Sequence, residues 1–204
     1  MQVNYGFRKI LSYSAIYNLF QNLVGANHLR KTFVKEHFDI GANIRLLDIG
    51  CGTAEILAFL PKDIEYIGFD ASEEYIHTAK TRWGNRGHFF CKKVTETELY
   101  GQEHFNLCIA IGLIHHLKDR EVIHMFNLIA SKLASRGRFV SIDPCFVSEQ
   151  SFFSRAIIKC DRGMNVRTPE EMKLLAGKVF KNVTVQHRND LLKIPYDHVI
   201  LELS

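Results

Sequence analysis

Short apolar runs alternate with helical patterns along much of the chain. The runs that predict β-strands are residues 44–49, 66–70, 88–91, 107–111 and 139–143. Helices are predicted between and after them, over 54–60, 72–83, 119–133 and 152–159. The third has apolar side chains at the spacing of one buried helical face, namely Val122, Met125, Phe126, Ile129 and Leu133. This alternation indicates a parallel sheet with right-handed crossovers.

The last third of the chain has a different pattern. Thr168, Pro169 and Glu171 provide the N-cap, the first-turn proline and the capping-box acid of one more helix. Alternating apolar residues over 182–187 and 198–203 then predict two strands. The short polar segment between these strands favours a terminal hairpin.

Composition limits the class of protein. The 204 residues suit one domain with a sizeable core. No apolar stretch reaches the ~18 residues that cross a bilayer, and the N-terminus lacks the pattern of a secretory signal. The five cysteines are odd in number and form no Cys-x-x-Cys pair, which favours buried thiols in a reducing compartment. We therefore expect a cytoplasmic protein without a membrane span.

Charge gives little indication of a macromolecular partner. The formal net charge is +4, and the lysines and arginines are scattered rather than clustered. No basic run is comparable to a nucleic-acid-binding arm, so we expect no nucleic-acid partner. The oligomeric state stays open.

The most informative motif is the glycine turn after the first strand run. Gly50 and Gly52 lie one residue apart, directly before a predicted helix, which is the layout of a nucleotide-type site. A dinucleotide fingerprint needs a third glycine or alanine where this chain has Glu55, whose charge would repel a pyrophosphate. No Gly-Lys-Ser/Thr follows either, which excludes a P-loop. A ligand with an adenosine but no phosphates fits better.

The segment 48–53 (Asp-Ile-Gly-Cys-Gly-Thr) resembles the first motif of the class I S-adenosylmethionine (SAM)-dependent methyltransferases. Asp70 ends the next strand run 22 residues after Asp48, and segments 105–117 and 133–144 resemble the fourth strand and the turn with the fifth strand of that family. The resemblance implies an α/β, doubly wound, seven-stranded, mostly parallel sheet with an antiparallel C-terminal strand and helices on both faces.

The same resemblance suggests a single domain. Residues 41–204 would form the Rossmann-like core and residues 1–40 an N-terminal helical cap. Two amphipathic stretches, 14–24 and 27–37, are the predicted helices of this cap. They would either cover the ligand crevice or pack against the core.

The resemblance also implies SAM as the cofactor. Gly50 and Gly52 would let the backbone approach its methionine portion, Asp48 would order the turn and reach the ammonium through water, and Asp70 would accept from both ribose hydroxyls. The alternative for Asp70 is an N-cap of the next helix. The acid that often binds adenine on the third strand is absent, so backbone groups, the Thr95 hydroxyl or Glu96 would replace it. The predicted cofactor residues are Asp48, Gly50, Cys51, Gly52, Asp70, Ala71, Thr95 and Ile111.

Two adjacent histidines follow the fourth strand. His115 or His116 would act as a general base toward a hydroxyl or amine acceptor, since an imidazole pKa of about 6.5 suits that role. The alternative is a structural histidine at the junction of strand and helix. No His-x-x-x-His pattern or carboxylate cluster stands out, and adjacent histidines are expected to point different ways, so we predict no metal site.

The polar loop 161–167 contains candidate substrate-binding residues. Arg162 and Arg167 would bind a carboxylate or phosphate in a bidentate manner, with Asn165 and Tyr196 as further contacts. The alternative is a solvated loop in which Asp161 pairs with an arginine. The first interpretation predicts an anionic small-molecule acceptor.

These observations favour a SAM-dependent methyltransferase that acts on a small molecule, mainly by positioning donor and acceptor. A methyltransferase for RNA, DNA or protein is one alternative, although residues 111–114 replace the family's Asn/Asp-Pro-Pro-aromatic motif. A non-catalytic SAM-binding subunit and a nicotinamide oxidoreductase are others. Glu55 argues against the oxidoreductase.

Overall fold

A computed structural model describes residues 23–39, 41, 43–95, 99, 104–161 and 163–204. The strands are β1 (Arg45–Ile49), β2 (Glu65–Asp70), β3 (His88–Cys91), β4 (Phe105–Ile111), β5 (Leu133–Pro144), β6 (Val183–Arg188) and β7 (His198–Leu203). The α-helices are α1 (Ala26–His37), α2 (Glu73–Trp83), α3 (Asp119–Lys132), α4 (Phe152–Lys159) and α5 (Pro169–Ala176). Short 3-10 helices are η1 (Glu55–Phe59), η2 (Gly84–Arg86) and η3 (Ile114–His116).

The seven strands form one sheet in the order β3-β2-β1-β4-β5-β7-β6. Neighbours from β3 through β5 pair in parallel, whereas β7 runs antiparallel to both β5 and β6. The predicted fold class is therefore confirmed, including the antiparallel C-terminal strand beside β5.

Two apolar clusters lie on the two faces of the sheet. The apolar face of α3 packs with α5 on one side, and its Val122, Phe126 and Ile129 have no exposed surface. Helices α1 and α2 and the 3-10 helix η1 pack on the other side. These helices lie on both faces of the sheet because each has an apolar stripe that is stabilised by burial against the sheet.

The predicted helix over 54–60 is wrong in type. This segment forms only the 3-10 helix η1, and Ala54 before it has a left-handed φ of 54°. No α-helix therefore begins at the glycine turn. The fifth strand is also longer than predicted, because residues 133–138 join β5 with a register shift opposite Phe105 and Leu107.

The cysteines are all free, and their burial differs from the prediction. Cys108 and Cys145 are buried, but Cys91 and Cys160 are exposed. Cys91 is at the end of β3 next to the edge of the sheet, where the short strand leaves its side chain in solvent.

Helix α1 corresponds to the predicted stretch 27–37, whereas most of 14–24 lies outside the described residues. It buries Leu29, Phe33 and Val34 in the same cluster as η1. In the described part of the chain, no helix is both long and apolar enough to traverse a bilayer.

Candidate active site

A cleft opens where the loops after β1, β2 and β4 meet. This is the point at which the strand order reverses, where open α/β sheets bind their ligands. Six of the predicted cofactor residues line it, namely Asp48, Gly50, Cys51, Gly52, Asp70 and Ile111. The lining does not include Ala71 or Thr95. Residues that the sequence did not indicate also line the cleft, among them Arg30, Tyr75 and Leu113.

The two glycines of the turn have different roles. Both have a left-handed backbone, with φ values of 76° at Gly50 and 55° at Gly52. A Cβ atom on Gly50 would lie 2.9 Å from Leu113 Cδ1, so this glycine lets the loops after β1 and β4 pack together. A Cβ atom on Gly52 would have nothing within 4 Å. Gly52 therefore provides the open side of the turn, where a ligand can approach.

The turn's N–H groups bond within the protein. Gly50 and Cys51 both donate to the carbonyl oxygen of Phe69, at 2.8 and 3.0 Å. Gly52 donates to Asp70 Oδ2 at 2.9 Å. These bonds fix the shape of the turn, so a ligand would meet the backbone at the Cα of Gly52.

Asp70 links the glycine turn to the start of α2. Its Oδ1 accepts from Ser72 N at 2.8 Å, while its Oδ2 accepts from Gly52 N. Ser72, not Asp70, is the N-cap of α2, and its Oγ accepts from Tyr75 N at 3.3 Å. The helix-capping alternative for Asp70 is therefore wrong. A carboxylate offers about four acceptor positions, so these bonds are compatible with ribose hydroxyls.

Asp48 is a buried carboxyl group in the wall of the cleft. Burial raises its pKa to about 7, although a hydrogen bond of 2.5 Å from the Tyr66 hydroxyl opposes the shift. Its Oδ1 is buried and has no hydrogen-bond partner among the described residues. An unsatisfied buried oxygen is costly and calls for a donor. The ammonium group of a bound amino acid would supply one.

His115 is the centre of a buried polar network. Its Nδ1 lies 2.7 Å from Asp143 Oδ1, which also accepts from the His115 backbone N–H. Its Nε2 lies 3.2 Å from Asp161 Oδ1. The Tyr196 hydroxyl donates to Asp161 Oδ2 at 3.0 Å. Four side chains from separate segments are thus brought together.

This network holds His115 as a cation. Burial alone would lower the pKa of the imidazole, but the hydrogen bonds and charges of Asp143 and Asp161 outweigh it and raise the pKa to about 9. The same interaction keeps the pKa of Asp161 well below its usual range despite partial burial. A protonated imidazole between two carboxylates is unsuited to general-base catalysis.

His116, by contrast, lines the cleft beside Gly112 and Leu113. The expectation that the adjacent histidines point different ways is wrong, because their ring centroids are only 4.1 Å apart with an interplanar angle of 38°. Both histidines belong to η3. In a 3-10 helix successive side chains are roughly 120° apart, whereas in a strand they point to opposite faces, so the two rings can lie side by side here.

The predicted substrate-binding residues lie in two places, some near His115, and Arg167 inside the protein. Asp161 and Tyr196 meet at His115, and Asn165 N donates to the His115 carbonyl at 2.9 Å. Among the described residues, Asp161 pairs with His115 rather than with an arginine. Arg162 lies outside the described residues.

Arg167 is directed away from the cleft. It is buried, with a relative exposure of 7%. Its guanidinium donates to Asp119 Oδ1 at 2.7 and 3.0 Å and to the carbonyls of Ile114 and Leu117. These bonds join η3 to α3 and use the donors of Arg167, so the residue is not proposed as part of the acceptor site.

Sequence reasoning did not link the residues of this network to one another. Asp143 lies one residue before the end of the fifth strand, and its position near a carboxyl end was the available signal. Asp161 lies 46 residues from His115, and no spacing rule connects them.

Residues 46–137 match the family model described as "Methyltransferase domain". No curated protein sequence matches the chain. Among solved structures, the chain is similar to a SAM-dependent methyltransferase from Archaeoglobus fulgidus, at 20% identity and a TM-score of 0.70, over 92% of this chain and 99% of that one.

Two further structures show the same fold. Human N-acetylserotonin methyltransferase, solved with SAM, is 15% identical with a TM-score of 0.66, over 95% of this chain and 55% of its own. The plantazolicin methyltransferase BpumL, solved with a triazolic desmethylPZN analog and SAH, is 14% identical with a TM-score of 0.67, over 97% and 90%. The chain spans only 56% of the length of the pyocyanin biosynthetic protein PhzM, which also shares the fold.

The match to the family model agrees with the order of the strands and with the glycine turn beside Asp70. The chain therefore has the fold of the class I, SAM-dependent methyltransferases, and its residues 46–137 match a methyltransferase family model.

Proposed function

We propose that the protein transfers a methyl group from SAM to a polar atom of a small-molecule acceptor. The observation that carries this proposal is the buried Oδ1 of Asp48, which has no hydrogen-bond partner among the described residues and lies in the same cleft as the open side of Gly52. Together they offer a site for the ammonium end of an amino-acid group. Asp70, at the other edge of the turn, has the acceptor oxygens for the ribose hydroxyls.

The cofactor supplies an activated methyl group on a sulfonium, so the protein contributes mainly alignment and exclusion of water. The loop after β4 is suited to this task. Leu113 packs over Gly50, and Ile111 and His116 face the same cleft. These side chains would form the wall between donor and acceptor.

We assign the contact with the acceptor's reacting atom to His116. Of the two predicted bases, it alone lines the cleft, whereas His115 is a buried cation. The imidazole of His116 would accept a proton from a hydroxyl or amine as the methyl group arrives. Asn165 and Tyr196, near His115, would contact more distant parts of the acceptor.

Support for a small acceptor comes from the similar structures. One is an N-acetylserotonin methyltransferase, and another was solved with a triazolic analog. An anionic acceptor now depends on Arg162, since Arg167 is engaged inside the protein.

Calorimetric titration with SAM, its demethylated product and NAD tests the proposal. We expect SAM and the product to bind, and NAD not to bind. Asp70→Asn removes a charged acceptor from the ribose contact, worth about 1.5–3 kcal/mol, and should weaken SAM binding about 10- to 100-fold. Asp63→Asn, in the exposed turn before the same strand, is the matched control. Absence of SAM binding, or equal affinities of both variants, would refute the assignment.

A further inference from the structure

We propose that His115, His116 and Asp161 form a binding site for one divalent transition-metal ion in the wall of the cleft. One ligand atom from each residue lies within 4.8 Å of the others. Two histidines and one carboxylate are a donor set that binds zinc and iron(II) in catalytic sites and leaves positions open for a substrate.

The separation of the first two ligands already suits an ion. Ligands 2.0–2.1 Å from a tetrahedral zinc ion are roughly 3.3 Å from each other. The distance from His115 Nε2 to Asp161 Oδ1 is 3.2 Å. An ion could replace the proton between these atoms with little movement of the backbone. His116 would approach by a rotation of its side chain, from a ring already next to that of His115.

Neighbouring groups orient these ligands. Asp143 accepts from the Nδ1 of His115, so the lone pair of the neutral ring lies on Nε2, on the side of Asp161. The Tyr196 hydroxyl and the Gly163 N–H hold the carboxylate of Asp161, at 3.0 Å each. Metal-binding histidines and carboxylates usually have such supports.

The charge of the site also fits a divalent ion. Asp143 and Asp161 contribute two negative charges at 2.7 and 3.2 Å from the imidazole. A proton on the ring balances one of them, whereas a divalent ion on a neutral ring balances both. Asp161 is 31% exposed, so an ion can enter from solvent.

The use of this ion rests on the proposed function. An acceptor hydroxyl would bind it through oxygen and release its proton to bulk water more readily, because a divalent cation stabilises the oxyanion. The oxyanion would then form a bond to the methyl carbon while the bond from that carbon to the sulfonium sulfur breaks, so that the electron pair stays on sulfur and SAH leaves as a neutral thioether. In that form His116 is a ligand rather than a base, so a metal titration decides between its two roles.

The test uses the whole chain after treatment with a chelator. Zn²⁺ is titrated by calorimetry into the wild type and into His116→Gln and Asp161→Asn, with His124→Gln and Asp63→Asn at exposed positions as matched controls. We expect one tight ion per chain in the wild type and both controls, and at least a tenfold weaker affinity in each site variant. Equal affinities in all five proteins, or no saturable ion in the wild type, would overturn the proposal.

A second measurement, on the wild type alone, tests the site even if a site variant does not fold. Co²⁺ added to the wild type should strongly shift the ring-proton resonances of His115 and His116, and unshifted signals would contradict the site. A titration with SAM in the presence of the chelator separates the two proposals. If SAM binds there but the Zn²⁺ titration shows no saturable ion, only the metal site is refuted. If SAM does not bind, the proposed function is refuted.

Discussion

Gly163→Ala tests the packing that holds the loop 161–167 on His115. A Cβ atom at residue 163 would lie 2.8 Å from Cγ and 2.9 Å from Nε2 of the imidazole, and closer still to Cδ2. Carbon atoms in contact prefer about 3.5–4.0 Å. Because two bonds to Asp143 fix His115, the loop must move away instead.

The expected cost follows from the bonds that this movement breaks. The charged contact between His115 and Asp161 is worth about 1.5–3 kcal/mol, and the bond from Asn165 N to the His115 carbonyl about 1 kcal/mol. Replacing glycine restricts the unfolded chain and returns about 0.4–1 kcal/mol. We expect the free energy of unfolding to fall by about 2–3 kcal/mol.

Urea denaturation measures this loss, with Trp83, the single tryptophan, as the fluorescent probe. Gly41→Ala is the matched control, because a Cβ atom there meets nothing within 4 Å. NMR titration should also show the His115 pKa falling below about 9 as Asp161 withdraws. Affinity for SAM should hold, because Gly163 does not line the cleft. A variant as stable as the control, with an unchanged pKa, would disprove the packing argument.

The remaining predictions concern pH and Arg167. The pKa of His115 is raised to about 9, so the imidazolium stabilises the folded state fully below about pH 6.5. This contribution to the free energy of unfolding is lost as the pH rises to about 9, and in chelator-treated protein the loss is at most about 3 kcal/mol. Urea melts from pH 6 to 10 should show this decline, and His115→Gln should flatten it; an identical decline in the variant would assign it to another group. Arg167→Ala should lower the free energy of unfolding by about 2–4 kcal/mol and leave SAM affinity unchanged, whereas a selective loss of acceptor binding would return Arg167 to the substrate site.

The sheet and the position of the cleft at its switch point could be predicted from the sequence because they depend on local patterns. Apolar runs and helical spacing identified the strands and α3, and the fixed interval from Asp48 to Asp70 placed both acids at carboxyl ends of adjacent strands. Capping residues located α5 to the residue, since Thr168 and Glu171 form the capping box.

The network around His115 could not be predicted from the sequence, because it depends on contacts between distant segments. The surroundings of His115 depend on Asp143 and Asp161, which approach from β5 and from the segment after α4. Arginine is a residue type that often binds anions, yet the guanidinium of Arg167 donates its hydrogen bonds to the carbonyl oxygens of Ile114 in η3 and of Leu117. The 3-10 helix η1 has apolar residues that fit an α-helix, but the left-handed Ala54 and Pro61 limit its length.

The segment 161–167 is fastened at both ends and on the inside. Asp161 holds one end to His115, Arg167 holds the other to Ile114 and Leu117, and Gly163 fits only because it lacks a side chain. Met164 between these anchors is 65% exposed and is bound by none of them. Substitutions at this outward position should therefore leave these anchors undisturbed.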